Sequence, residues 1–363
     1  SIILAFLGTL KANISSEKQQ MTQPNHSLDT QKLAAYLEQQ VPGFKGPLTA
    51  EKFPGGQSNP TYAVSAESGR YVLRRKPPGL LLKSAHAVDR EFKVIAALAD
   101  TGVPVAKVYH LCEDESVIGS MFFLMEFVDG VVHWDATLPD LDNEQRRVMY
   151  DEMNRALAAM HSVDIDAVGL ADFGKPGNYF ERQIGRWSKQ YRAAETGTIE
   201  AMEQLLTWLP DNLPADDGKV SLVHGDYRLD NMMFHATEPR ILAVVDWELS
   251  TLGHPYADLA YQCMQWRLPP GGSLSGLQGE DRAALGIPSE EEYVARYCER
   301  MGIDTIENWT FYLAFSFFRL AAILQGVKKR ALDGNASNDQ ALEMGALVQP
   351  LASAATALIS DSH

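Results

Sequence analysis

Leu222-Val223-His224-Gly225-Asp226-Tyr227-Arg228-Leu229-Asp230-Asn231, followed by Ala243-Val244-Val245-Asp246-Trp247-Glu248, is the stretch on which the reading of this chain turns. It is bracketed by two short apolar runs, Val220 to Val223 and Ile241 to Val245, whose length and β-branched content read as buried strands. Each run ends on acid. The first delivers His224, Asp226 and, five positions after Asp226, Asn231; the second delivers Asp246. Carboxylates at strand ends, with an amide between them, are hard oxygen donors of the kind a magnesium ion takes when it also holds phosphate oxygens. A further carboxylate is then left to handle a proton.

The spacing His-x-Asp, then Asn five residues after the Asp, then an Asp at the end of the next strand, resembles the catalytic loop and metal site of protein kinases. With Gly between His224 and Asp226, and with Asp246-Trp247-Glu248 in the second motif, the form is similar to the aminoglycoside phosphotransferase and choline kinase family of small-molecule kinases. The resemblance implies an α+β, protein-kinase-like two-lobe fold: a small antiparallel β lobe with a helix, and a larger, mainly helical lobe. It implies ATP and Mg2+ as cofactors, Asp226 as the residue that orients a substrate hydroxyl and accepts its proton, and Asn231 and Asp246 as the metal ligands. His224 is implied to hydrogen-bond inside the loop.

Composition sets outer limits. A chain of 363 residues is long enough for one large domain or two lobes. A formal net charge of -15 repels nucleic acid and anionic membranes; it suits a soluble cytoplasmic enzyme and, weakly, a cationic substrate, and the small-molecule partner is what the resemblance implies. Cys112, Cys263 and Cys298 are far apart and spell neither a zinc motif nor a disulfide framework. Ser1 to Leu10 is apolar but too short to span a bilayer, and Met21 stands as a candidate start, so residues 1–26 are expected to form a loose tail.

From Leu28 to Val41 the positions of Leu33, Ala34, Leu37 and Val41 predict an amphipathic helix with Asp29 or Thr30 as its cap. Phe53 to Tyr62 carries Gly55, Gly56, Gln57, Ser58 and Asn59. Paired glycines with small polar neighbours let backbone N–H groups approach phosphate oxygens, although the same residues also read as a hairpin turn. In the family pattern Arg74, at the end of strand Tyr71 to Arg74, falls where kinases carry the phosphate-pairing lysine, with Lys76 as the fallback and a solvated basic edge as the plain alternative. Glu91, on the helix predicted over Ala87 to Asp100, is implied to pair with Arg74. Met121 to Gly130 resembles the last small-lobe strand entering a hinge, with Met125 beside the adenine pocket and the backbones of Glu126 and Val128 bonding to adenine. The implied organisation is a nucleotide-binding lobe over 27–127 and a catalytic and substrate-binding lobe over 128–363.

Further along, Glu144 to His161 predicts a helix with a methionine core stripe, and His161 is expected to satisfy local backbone groups. Asp258 is implied to anchor the backbone of the catalytic loop. Pro269 to Leu285 reads either as a mobile flap or as a surface loop. Arg319, inside the apolar helix Trp309 to Val327, needs an anionic partner, either a neighbouring carboxylate or a group on the acceptor. The wording of the loops, including Leu73-Arg74-Arg75-Lys76-Pro77-Pro78-Gly79, resembles the kinase domains fused to acyl-CoA dehydrogenases. The acceptor hydroxyl is therefore sought on aminoglycoside-like compounds or on hydroxy-acyl and hydroxy-acid compounds. Two rivals are a catalytically silent nucleotide-binding module, suggested by arginine in the lysine position, and a metal-dependent hydrolase using His224, Asp226, Asp246 and His254.

Overall fold

The computed structural model describes residues 28–53, 59–77, 87–271, 274–334 and 341–360. The chain forms two compact units, one of residues 1–134 with 230–249, the other of 135–229 with 250–363. This differs from the boundary expected at 127/128 in two ways. The chain stays in the first unit as far as Trp134, and the hairpin Met232–Phe234/Ile241–Val244 joins that unit too. The reason is backbone pairing: Val131 and Phe234 form a β-bridge, and the Val244 N–H donates to the Pro104 carbonyl at 2.8 Å.

The first unit is built on a five-stranded antiparallel sheet in the order Leu48–Lys52, Thr61–Ala66, Gly69–Arg75, Phe122–Glu126, Val108–Cys112. Alternation sorts the side chains. Tyr71 and Leu73 of the central strand join Tyr62, Val64 and Leu124 in a core closed by Leu33 and Leu37 of helix Thr30–Gln40. That helix starts where expected, with the Asp29 carboxylate accepting from the Lys32 N–H at 3.0 Å. Arg74 falls between Leu73 and Arg75 in the alternation, paired in register with Phe123, against whose ring Phe92 of helix Val88–Leu98 packs edge-on. Arg75 is buried and donates to Ser120 Oγ at 2.9 Å, so this strand is the middle of a sheet and not a solvated basic edge.

The second unit is helical around Trp309–Leu332, which is buried without a break from Phe311 to Ala322. This helix and Ala341–Ser360 have the length and hydropathy of membrane spans, but 78% of the apolar window of the first is covered inside the unit, as expected of a core helix. Helix Asn143–His161 opens with a reciprocal capping box between Asp142 and Gln145, and Glu290–Met301 does the same with Ser289 and Glu292. Methionines 149, 153 and 160 are buried, as the stripe predicted. Of the segment Pro269 to Leu285, read as a flap or a surface loop, Leu274 and Leu277 are buried, with the Leu277 N–H donating to the Gln265 carbonyl at 2.9 Å, while Pro269 to Gly271, Gln278 and Gly279 are exposed.

A two-stranded ribbon, Ser221–Val223 against Thr251–Gly253, carries the chain into the acidic loop of the second unit. Gly174 lies against this ribbon. A Cβ there would stand 2.5 Å from the Leu252 nitrogen and 3.0 Å from its Cβ. Gly174→Ala should therefore destabilise the chain by about 1–3 kcal/mol, read as a lowered denaturation midpoint with an unchanged m-value.

Candidate functional site

In the first unit, Arg74 is the hub. Its Nε lies 2.7 Å from Glu91 Oε2, its Nη2 donates to Asp246 Oδ1 at 3.1 Å, and Glu248 Oε2 stands 3.7 Å away. The Arg74–Glu91 pair is thus present as the resemblance implied. Glu248 was not foreseen, although it follows Asp246 by two positions in the quoted motif. Burial opposes charge on Arg74, but Glu91, Asp246 and Glu248 outweigh it and hold the guanidinium above its ordinary value. Burial pushes the Glu91 carboxyl up against the pull of Arg74. Asn59 is buried and donates from its amide to Glu91 Oε1 at 2.7 Å, so its side chain is committed to the ion pair.

Asp246 sits at φ +67°, a left-handed conformation uncommon outside glycine. The bend is held on both sides. The Val245 N–H donates to the Asn231 carbonyl at 2.9 Å, and the buried Trp247 indole donates to the Val244 carbonyl at 2.9 Å. Strain of this kind persists only where surroundings impose it, and it accumulates at functional positions. Asn231 is fully buried, and the Asp246 side chain is nearly so, at 4% exposure. The Asn231 amide and the carboxylate of Asp246, the residue after the Val245 that bonds to Asn231, are oxygen donors of the chemistry a hard divalent cation takes.

In the second unit, a buried carboxylate organises the loop. Asp258 Oδ2 accepts from the His224 N–H at 2.6 Å and Oδ1 from the Gly225 N–H at 2.9 Å. His224 Nδ1 accepts from the Asp226 N–H at 3.2 Å, which keeps that imidazole inside the loop as implied. Gly225 has φ +83°, which explains its need for glycine. The Tyr227 hydroxyl donates to the Met153 carbonyl at 2.7 Å and fastens the far side. Asp226 is buried, with Arg228 Nε 3.5 Å from its Oδ1.

Two expectations need correction here. His161 does not serve local backbone groups. Its Nδ1 meets the Tyr297 hydroxyl at 2.7 Å and its Nε2 lies 3.5 Å from Asp258 Oδ2, so it supports the anchor. Arg319 has no carboxylate partner among the described residues. It donates to the Gly225 carbonyl, an oxygen without formal charge.

The remaining predicted positions divide in two. Gly55, Gly56, Gln57 and Ser58 lie outside the described residues. Met125 and Glu126 close the fourth strand of the sheet order, with Val128 just beyond. The Glu126 N–H is already donated to the Lys107 carbonyl at 2.7 Å. As for the hydrolase alternative, His254 Nε2 lies 3.2 Å from Asp217 Oδ1, and its Nδ1 accepts from the Tyr256 N–H. Among the described residues no group of three or more His, Cys, Asp or Glu is placed to hold a metal.

Comparison with known proteins decides the family. The profile of the Phosphotransferase enzyme family (APH) matches residues 49–295. The chain belongs to that family. This phosphotransferase is accordingly a small-molecule kinase. Acyl-CoA dehydrogenase family member 10 of Mus musculus is 52% identical over 308 residues, covering 85% of this chain and 29% of that protein. The phosphotransferase spans less than half the length of the curated relatives it matches. A solved Ralstonia eutropha protein, provisionally assigned as an aminoglycoside phosphotransferase, is 53% identical, with a TM-score of 0.86 over 92% of this chain and 99% of that one. A spectinomycin phosphotransferase, solved with ADP and spectinomycin, shares the fold at 16% identity, with a TM-score of 0.60 over 90% of this chain and 98% of that one. The kinase-like fold and the kinship with acyl-CoA dehydrogenase family members are therefore established for the phosphotransferase.

Burial opposes charge on Asp258, but His161 and His224 hold its carboxyl below the ordinary 3.8. A depressed folded value means that its stabilisation is complete above 3.8 and is lost as pH falls through the lower folded value. Asp258→Asn should cost about 1–3 kcal/mol near neutrality, because one of its two acceptors becomes a donor facing an N–H. In denaturant titrations the gap to the native chain should be present above pH 3.8 and close as pH falls through the lower folded value.

Proposed function

We propose that the chain transfers the γ-phosphoryl group of ATP to a hydroxyl of a small molecule in a magnesium-dependent reaction. The observation that carries this reading is Arg74 held between Glu91 and Asp246, at 2.7 and 3.1 Å, inside an antiparallel sheet unit. An arginine kept charged by surrounding carboxylates can neutralise phosphate oxygens and offer them a planar fork, the task lysine performs elsewhere. That argues against the silent-module alternative. Asn231 and Asp246 would hold magnesium, which when bound supplies charge neutralisation at the phosphates.

Asp226 aligns the acceptor hydroxyl and takes its proton, and the Asp258 anchor keeps its backbone in place for this. For adenine, the Glu126 carbonyl and the Val128 backbone are the groups we assign, since the Glu126 N–H is engaged within the sheet. Gly55 to Ser58 would cover the phosphates. For the acceptor we favour a hydroxy-acyl or hydroxy-acid compound over an aminoglycoside. The Arg228 guanidinium, 3.5 Å from Asp226, repels a polycation and suits an acid. The cysteines are free and buried, which suits a reducing compartment, and we place the chain in the cytoplasm.

Phosphate transfer from γ-labelled ATP to hydroxy acids, hydroxyacyl thioesters and aminoglycosides tests the reading. Asp226→Asn should lower kcat by about 100- to 10,000-fold, whereas Arg74→Met should raise KM for MgATP as well. Full activity of Asp226→Asn would remove its assigned role, and label appearing only in aminoglycosides would overturn the choice of acceptor.

A further inference from the structure

The quoted loop is gripped on its N–H side by Asp258, but the Gly225 carbonyl, on the peptide that leads into Asp226, is held by something else. Arg319 reaches it from the middle of helix Trp309–Leu332 and donates from Nη2. The guanidinium lies over two aromatic rings, 5.7 Å from the Trp187 centroid and 5.2 Å from that of Tyr261. A charged group this buried, at 7% exposure, stays in an apolar helix only where its surroundings compensate it. Here the compensation is a backbone dipole of the loop and two π faces. Tyr261 is coupled to the same loop a second time: burial and the nearby Asp226 carboxylate push its phenol up.

We propose that Arg319 and Tyr261 are positioning residues, a brace from helix Trp309–Leu332 and helix Tyr256–Cys263 that fixes the Gly225–Asp226 peptide and, through it, the direction of the Asp226 carboxylate. Asp258 restrains the loop from one side of the Gly225 residue and Arg319 from the other. The planar guanidinium suits the place over two rings, which a lysine ammonium does not fill. The catalytic consequence of the brace rests on the role proposed above for Asp226; the mechanical consequence does not.

The experiment is amide hydrogen exchange, resolved at residues 224–226, on the full chain and on Arg319→Met, Arg319→Lys and Tyr261→Phe, alongside ADP release from MgATP with water as acceptor. Expected for Arg319→Met is exchange about 10- to 100-fold faster at the His224 and Gly225 amides, the equivalent of one lost charge-assisted hydrogen bond, with amides of helix Asn143–His161 unchanged. Arg319→Lys should fall between native and Arg319→Met. Tyr261→Phe removes a single hydroxyl and should keep native exchange at Gly225 while lowering kcat about 10-fold at unchanged KM for MgATP. Native exchange at 224–226 in both Arg319 variants overturns the brace. Should Arg319→Met not fold, Arg319→Lys decides by the same amides. Absence of phosphate transfer from ATP by the native chain to water and to every acceptor of the labelled panel would defeat the proposed function and leave the exchange result standing.

Discussion

One buried carboxylate accepting two successive peptide N–H groups sets the geometry of the acidic loop. Peptide N–H groups buried without partners cost more free energy than an ordinary hydrogen bond returns, so the His224 and Gly225 amides and Asp258 are bound to one another by necessity. Around that contact the second unit assembles in shells: His161 and Tyr297 behind Asp258, Tyr227 on Met153, Arg319 on the Gly225 carbonyl. The result is a loop whose backbone has few alternatives. A group that must meet a substrate hydroxyl within a few tenths of an ångström needs such support from neighbours that do no chemistry themselves.

The first unit solves a different problem, that of keeping charge where apolar residues surround it. Arg74 sits in the middle strand of a sheet, and its cost of burial is offset by Glu91, Asp246 and Glu248 together. Asn59 in turn bonds to Glu91. Neutralising any one carboxylate alters the field at the others, so substitutions in this group will not act additively. The left-handed turn at Asp246, pinned by Val245 and Trp247, places a carboxylate directly after a strand in a conformation that ordinary propensity would avoid.

Much of this was legible from residue order, and the reasons are physical. Strand alternation and helix caps are local, so Asp29, the apolar runs before His224 and Asp246, and the methionine stripe could be read directly. The roles proposed for Asp226, Asn231 and Asp246 came from the resemblance that their spacing bears to kinase loops, because a loop fastened at both ends carries its chemistry at fixed offsets. What could not be read were partners distant in sequence. Nothing near His161 announces Asp258, and nothing near Arg319 announces the Gly225 carbonyl 94 positions earlier. A buried arginine states only that it needs an acceptor, and a backbone oxygen is invisible in a string of side chains. The assignment of the 230–249 hairpin to the first unit was hidden for the same reason, since it depends on the pairing of Val131 with Phe234.

The account stands on the proposal that the acidic arrangement in the first unit takes a divalent cation and the phosphates it accompanies. Calorimetric titration of the chain with ADP, with and without magnesium, tests this most directly. The account predicts that magnesium tightens ADP binding by at least about 10-fold and that Asp246→Asn abolishes the gain. Equal affinity with and without the ion, or a gain that survives Asp246→Asn, would contradict it.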